Sequence, residues 1–205
     1  MRLLVIGTDT DVGKTVFSAA LAGATGAFYW KPFQAGLTPA SDSETIAELS
    51  GLRRTRIIAE AYRLKTAASI HRAAELEAIE IECAQIEPPA QNRLIVEGAG
   101  GALVPLTRGL LLADLFARWN LPAVVVARTS LGTINHSLLT IEALRNRGVR
   151  VLGIAFVGDA QDDSERTIAE IAGVKRLGRL PILHPLNRRT LADAFSSAFK
   201  IEDFR

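Results

Sequence analysis

Apolar residues fall along this chain in two rhythms. Short stretches that are apolar almost without interruption alternate with longer ones in which apolar positions recur every three or four residues. The short runs are Leu3–Ile6, Ala27–Trp30, Arg93–Val96, Ala123–Ala127 and Val151–Val157, with a briefer sixth around Arg179 and Leu180. A strand that is apolar on both sides fits a parallel sheet covered on both faces. The longer rhythm predicts helices over Lys14–Ala24, Ser43–Leu49, Ala67–Leu76, Ile79–Ile86, Leu110–Trp119, Asn135–Arg147, Ser164–Ala172 and Arg189–Phe199. Ser41 and Asp42 are the caps expected before the second of these. Strand followed by helix, repeated, predicts a doubly wound α/β fold: a mainly parallel sheet with helices on both faces. From about Ala35 to Pro89 the pattern holds helices but no clear strand, so this region is predicted to leave the sheet. No repeat, low-complexity tract or linker interrupts the chain, and one domain over 1–205 is expected.

Composition narrows the classes. Of 205 residues, 48% are hydrophobic and 22% charged, which suits a packed globule and not a disordered chain. The 24 basic and 22 acidic residues leave a net charge of only +2, with no basic stripe, so nucleic acid is not an expected partner. Cys83 is the single cysteine, which excludes an internal disulfide and a cysteine zinc site and suggests a reducing, cytoplasmic compartment. The three histidines, His71, His136 and His184, lack ligand spacing. No apolar run approaches the ~20 residues of a membrane helix. The opening Met1–Ile6 turns at once into glycine and aspartate, unlike a secretory signal.

The chemistry begins at Gly7-Thr8-Asp9-Thr10-Asp11-Val12-Gly13-Lys14-Thr15, which matches G-x-x-x-x-G-K-[ST] between a predicted strand and a predicted helix. Its glycines let backbone N–H groups turn inward around a phosphate, and the helix that follows adds the positive end of its dipole. Lys14 is expected to reach the outer phosphates, and the Thr15 hydroxyl suits Mg2+. The motif therefore points to a nucleoside triphosphate of the phosphate-loop NTPase type, without saying what its hydrolysis drives.

Four other places carry candidate chemistry. Glu97-Gly98-Ala99-Gly100-Gly101 follows the third strand run. A carboxylate at such a strand end is placed to hold Mg2+, and the glycines admit a ligand close to the backbone; the alternative is a solvent-facing glutamate before a turn. Lys31 follows the second run, where it can stabilise developing anionic charge or simply be a surface lysine. Asp42 reads from the residues alone as a helix cap. Leu131-Gly132-Thr133-Ile134-Asn135-His136 opens a helix whose free N–H groups suit a carboxylate, with Thr133 or Asn135 as a plain cap in the alternative.

Taken together, GTDTDVGKT (Gly7–Thr15), Lys31–Gly36, Ser41-Asp42, Ser69-Ile70-His71, VEGAGG (Val96–Gly101) with Pro105-Leu106, LGTINHSLLT (Leu131–Thr140) and Gly178–Pro181 resemble the dethiobiotin synthetases, in family order over nearly the whole chain. The resemblance implies ATP- and Mg2+-dependent ring closure of 7,8-diaminononanoate with CO2, through a carbamate and a carbamic–phosphoric anhydride. It implies that Asp11, Val12, Gly13, Lys14, Thr15 and Val16 bind the ATP phosphates. It assigns Thr15, Asp42 and Glu97 to Mg2+, and Lys14 and Lys31 to the charge on the phosphoryl group and carbamate. Gly98, Ala99 and Gly100 join the nucleotide site, and Leu180, Pro181 and Ile182 lie near the adenine. The family works as a homodimer, in which the segment around Asn135 meets the tail carboxylate of the diamine held by the other subunit.

Two positions depart from the family's pattern. Ala35 stands where a serine or threonine is common near the substrate, with Gln34 or Thr38 as candidate substitutes. Gly158 stands where an asparagine commonly reads the adenine edge, so base selection is expected to be weak. Two other readings keep the fold. One is a related ATP-dependent ligase acting on another amine or carboxylate, which Ala35 favours. The other is a nucleotide switch of the chromosome-partitioning type; those carry an extra lysine early in the loop, where this chain has Thr8 and Asp9.

Overall fold

The apolar runs become strands where the pattern predicts them, and the computed structural model describes residues 1–205. β1 (Arg2–Gly7) leads through the phosphate loop into α1 (Lys14–Thr25). Then come β2 (Phe28–Trp30), β3 (Phe33–Ala35), α2 (Asp42–Leu49), β4 (Ile57–Ile58), β5 (Tyr62–Leu64) and α3 (Ile70–Leu76). β6 (Leu94–Gly101) precedes a small hairpin of β7 (Pro105–Thr107) and β8 (Leu110–Leu111), then α4 (Leu112–Trp119) and β9 (Ala123–Arg128). The chain ends with α5 (Thr133–Arg145), β10 (Val151–Val157), α6 (Asp162–Ala172), β11 (Lys175–Leu180) and α7 (Arg188–Ala198). Seven strands form one sheet in the order β11-β10-β9-β1-β6-β2-β4, every neighbouring pair parallel. This is the doubly wound architecture that the alternation implies.

Strand periodicity divides the core in two. Leu3, Val5, Tyr29, Ile95, Val124 and Val126 face α1 and α7, where they meet Phe17, Leu21, Phe195 and Phe199. Their neighbours Leu4, Ile6, Trp30, Leu94, Val96 and Val125 point the other way, onto Leu112, Phe116, Ile141, Leu144 and Ile168. Side chains alternate faces along a strand, so each run must be apolar at every position to fill both cores. No helix is long and apolar enough to cross a membrane.

The region from Ala35 to Pro89 corrects the sequence expectation. It does not leave the sheet entirely: β4 pairs in parallel with β2 and forms one edge. β5 pairs with β3 in a separate two-stranded sheet. These strands are two and three residues long, too short to register as runs. Ile79–Ile86 is not a helix and contains only a single 3-10 turn at Cys83–Gln85. Its buried residues, Ile81 and Ile86, lie five apart, off the helical period. Side chains also tie it to α4, with Trp119 Nε1 donating to the Ile86 carbonyl at 2.9 Å. α3 begins at Ile70 and not at Ala67, and α4 at Leu112, because Leu110 and Leu111 pair with β7. β6 runs on to Gly101, so Glu97 lies inside the strand and not beyond it.

Candidate active site

The site sits at the carboxyl ends of β1, β2 and β6, where doubly wound sheets bind ligands. The phosphate loop joins β1 to α1. Gly13 adopts a left-handed φ of 91° as the α1 N-cap, and no side chain caps the helix. A Cβ there would overlap Val157 at the end of β10, so only glycine lets the loop pack against that strand. The first N–H groups of α1 are thus left to an incoming anion. Lys14 folds back over Gly7, and its ammonium donates to the Asp9 carbonyl at 2.6 Å. Burial pulls its pKa down to about 8, against the opposing pull of Glu97.

Cross-strand register assembles the rest. Tyr29 pairs with Ile95 and Trp30 with Val96. Residues two apart share a face, so Tyr29 and Lys31 project to the same side as Ile95 and Glu97, the side covered by α1. There Thr15, in the first turn of α1, lies with its hydroxyl oxygen 2.7 Å from Asp42 Oδ1 and 2.9 Å from Glu97 Oε1. The Lys31 ammonium lies 2.6 Å from Asp42 Oδ2 and 3.2 Å from Glu97 Oε1. Lys31 is buried, not a surface lysine, and Glu97 is fully buried, not solvent-facing.

Asp42 is free to join this cluster because it is not the cap. Ser41 holds that position: its hydroxyl accepts from the Glu44 N–H, and the Glu44 carboxylate accepts from the Ser41 N–H. Burial opposes the charges on Lys31 and Asp42, but Glu97 and Asp42 outweigh it at Lys31. Its pKa is held above the ordinary lysine value, and Lys31 in turn holds Asp42 below the ordinary aspartate value.

A cavity of about 660 Å³ opens over this cluster, the scale of a small-molecule site. Of the residues nominated from sequence, Asp11, Gly13, Lys14, Thr15, Val16, Lys31, Ala35, Asp42, Glu97, Ala99 and Gly100 line it. Val12 is buried in the core, and Gly98 packs against Phe116. Gln34 also lines the cavity; its amide N–H donates to the Gly36 carbonyl at 2.8 Å, and its oxygen accepts from the Asp42 N–H at 3.2 Å, which leaves one N–H and one lone pair without a protein partner. Thr38 is exposed and does not line the cavity.

Gly158 lies at the end of β10, next to the Val157 that Gly13 packs against. Its N–H donates to the Leu180 carbonyl at 2.9 Å, and its own carbonyl accepts from Arg179 at 3.2 Å. The Leu180 side chain is in the α1/α7 core, while Pro181 and Ile182 are exposed beyond it. With φ at 139°, a Cβ on residue 158 would overlap Thr129 Oγ1. Gly158→Asn is therefore expected to destabilise the fold by about 1–3 kcal/mol in urea unfolding, without creating a base reader. A variant of undiminished stability would remove this steric account.

Asn135 lies outside the cavity, exposed on α5 between Leu131 and Leu139. It caps nothing, since Gly132 is the N-cap, and the Thr133 hydroxyl is engaged by the Arg128 carbonyl at 2.5 Å. Sequence reasoning missed Tyr29, whose hydroxyl donates to Glu97 Oε2 at 3.1 Å. The available signal was its position two residues before Lys31, on the same strand face. It also missed the Ala67 and Ala68 wall of the cavity.

The donor set fits a hard divalent cation. It offers one hydroxyl and two carboxylates, with the Thr15 oxygen 2.7 Å from Asp42 Oδ1 and 2.9 Å from Glu97 Oε1, the oxygen ligands that Mg2+ prefers. Lys14 is expected to make nucleotide binding depend on pH. Its folded pKa near 8 means that the free protein loses this charge as pH rises past 8. Affinity for a non-hydrolysable ATP analogue, measured by calorimetry, is expected to fall several-fold between pH 7.5 and about 9.5. Constant affinity over that range would refute a titrating Lys14.

Residues 1–190 match the family model described as "AAA domain". The chain is 62% identical over 203 residues to the "ATP-dependent dethiobiotin synthetase BioD" of Rhizorhabdus wittichii, covering 98% of this chain and 97% of that protein. It is 59% identical to the protein of the same name from Novosphingobium aromaticivorans, covering 98% of both. Among solved structures, the Aquifex aeolicus MinC:MinD cell division complex aligns with a TM-score of 0.53 at 14% identity, over 95% of this chain and 86% of that one. The Pyrococcus furiosus cell division ATPase MinD aligns at 0.51 and 11%, over 95% and 88%. At such identities these two likenesses concern the fold alone.

Proposed function

The chain belongs to the ATP-dependent dethiobiotin synthetase family, and on that premise we propose that it closes the ureido ring of dethiobiotin from 7,8-diaminononanoate, CO2 and ATP. One amine adds to CO2 and loses a proton, giving a carbamate. A carbamate oxygen attacks the γ-phosphorus, ADP leaves, and a carbamic–phosphoric anhydride forms. The second amine attacks the carbonyl carbon and expels phosphate. The observation that carries this reading is the meeting of partly buried Thr15 and Asp42 with buried Lys31 and Glu97 beside the phosphate loop.

The obstacle in this reaction is repulsion, because an anion attacks a polyanion. Unit charges ~4 Å apart at an effective dielectric constant of ~20 interact by about 4 kcal/mol, roughly a thousandfold in rate. Lys14 and Lys31 offset that term from the phosphoryl and carbamate sides. The substrate brings its own nucleophiles, so no activated serine or cysteine is needed. Thr15, Asp42 and Glu97 are the residues that would hold Mg2+. When bound, the ion neutralises phosphate charge and orients the triphosphate. The N–H groups from Asp11 to Val16 receive the phosphates, with Gly98 to Gly100 alongside and Pro181 and Ile182 toward the base.

The reading extends to a cytoplasmic enzyme of one domain that works as a homodimer. Asn135 and Leu139 are exposed on α5 and Leu131 lies exposed just before its N-cap; with Leu131 and Leu139 at 103% and 56% exposure, this patch supports a second subunit on that face. Incubation with diaminononanoate, bicarbonate and MgATP is expected to yield the mass of dethiobiotin, with one ADP per ring. ADP formation at the same rate without the diamine would overturn the proposal. Ala35 removes a hydroxyl from the substrate wall, so a panel of other diamines belongs in the same assay. Faster turnover of one of them would favour a related ligase.

A further inference from the structure

We infer that Tyr29 is a positioning residue for the reaction, whose hydroxyl fixes the Glu97 carboxylate so that only Oε1 faces the cation site. The inference rests on the proposed role of Glu97 in holding a divalent ion. The Tyr29 hydroxyl donates to Glu97 Oε2 at 3.1 Å. The other carboxylate oxygen, Oε1, turns to the Thr15 hydroxyl at 2.9 Å and the Lys31 ammonium at 3.2 Å. The two oxygens therefore have separate tasks.

Nothing else on the Oε2 side can perform this one. Tyr29 and Glu97 are both fully buried, so bulk water does not reach the contact. The final torsion of a glutamate is broad, and a carboxylate without a partner on one oxygen is free to turn about it. Turning would carry Oε1 away from Thr15 and Lys31. The phenol opposes this because its ring is immobilised in the α1/α7 core, and the β2–β6 register keeps it diagonally across from Glu97. Outer partners that orient a ligating group are commonly worth 10–100-fold in metal affinity. The competing account is that a buried tyrosine hydroxyl needs some acceptor, and Glu97 is merely the one at hand.

Tyr29→Phe separates the two accounts, since it removes one oxygen and keeps the ring. Mn2+ binding to the protein with ADP, followed by electron paramagnetic resonance, is expected to weaken about 10–100-fold. At saturating Mg2+ the KM for ATP should stay within about threefold. Tyr62→Phe removes the chain's other phenol hydroxyl, which accepts from the Glu82 N–H, and is expected to change neither value. Glu97→Gln should itself weaken Mn2+ binding, and adding Tyr29→Phe to it should cost less than a further twofold, because both changes act on one contact. Mn2+ affinity within twofold of wild type in Tyr29→Phe, with Glu97→Gln impaired, overturns the positioning role alone. Unchanged affinity in Glu97→Gln overturns the metal assignment beneath it. A full tenfold further loss in the double variant also overturns the inference, since the hydroxyl would then act other than through Glu97, and so does a Tyr29→Phe chain that fails to fold by circular dichroism, since the hydroxyl would then be a prop of the fold.

Discussion

Lys31→Ala is expected to lower kcat about 10²–10³-fold, with the KM for ATP changed only a few-fold. Lys31 is the buried cation nearest both carboxylates, 2.6 Å from Asp42 and 3.2 Å from Glu97, and against the opposing effect of burial these two hold its pKa above the ordinary lysine value. It comes from the end of β2, while Lys14 comes from the phosphate loop, and both line the cavity. In the proposed reaction, removing Lys31 takes away a preorganised charge on the substrate side, which would act on the attacking carbamate more than on bound ATP. The same change leaves Glu97 buried beside Asp42 without a cation. In chelator the variant should therefore lose about 3 kcal/mol or more of stability, with recovery on adding Mg2+. Steady-state kinetics and thermal unfolding test the two halves separately. Full activity together with lost stability would make Lys31 a structural partner of Glu97 and nothing more.

Lys14→Ala alone is expected to abolish phosphoryl transfer, and mixing that chain with Asn135→Trp should bring activity back to roughly a quarter of wild type. The expectation follows from the proposed homodimer, in which each site joins the phosphate loop of one subunit to the Asn135 face of the other. Lys14 lines the cavity, whereas Asn135 is exposed on α5 outside it. In a mixed dimer one site collects both lesions and the other collects neither. Random pairing of equal amounts makes about half the dimers mixed, each with one intact site. Brief denaturation and refolding allows the subunits to exchange, and native mass spectrometry counts the mixed species. Mixed dimers without activity would mean that the site is built within one chain. Near-normal activity of Asn135→Trp alone would remove Asn135 from the site.

Much of this protein was written locally. The phosphate loop is nine consecutive residues, Gly7 to Thr15, whose glycine spacing dictates its own backbone path. The sheet strands β1, β2, β9 and β10 were legible because burial on both faces demands an unbroken apolar run. β4 was not, because two residues at a sheet edge leave no pattern to read. Gly13 and Gly158 show the same boundary. Sequence marks both as glycine, but only the packed neighbours Val157 and Thr129 explain why a side chain does not fit.

The chain's sequence by itself determined the strand–helix alternation, the nucleotide loop and the residue types available for chemistry, since each depends on neighbours a few positions away. Tertiary structure decided what those residues became. Glu97 meets Lys31 across 66 residues, Tyr29 across 68 and Thr15 across 82. Those meetings depend on which strands pair and in what register, which no local pattern contains. Asp42 became a cluster member and not a cap because Ser41 already closed a capping box with Glu44. Lys31 keeps its charge in the interior only because two carboxylates offset the desolvation that burial imposes on it.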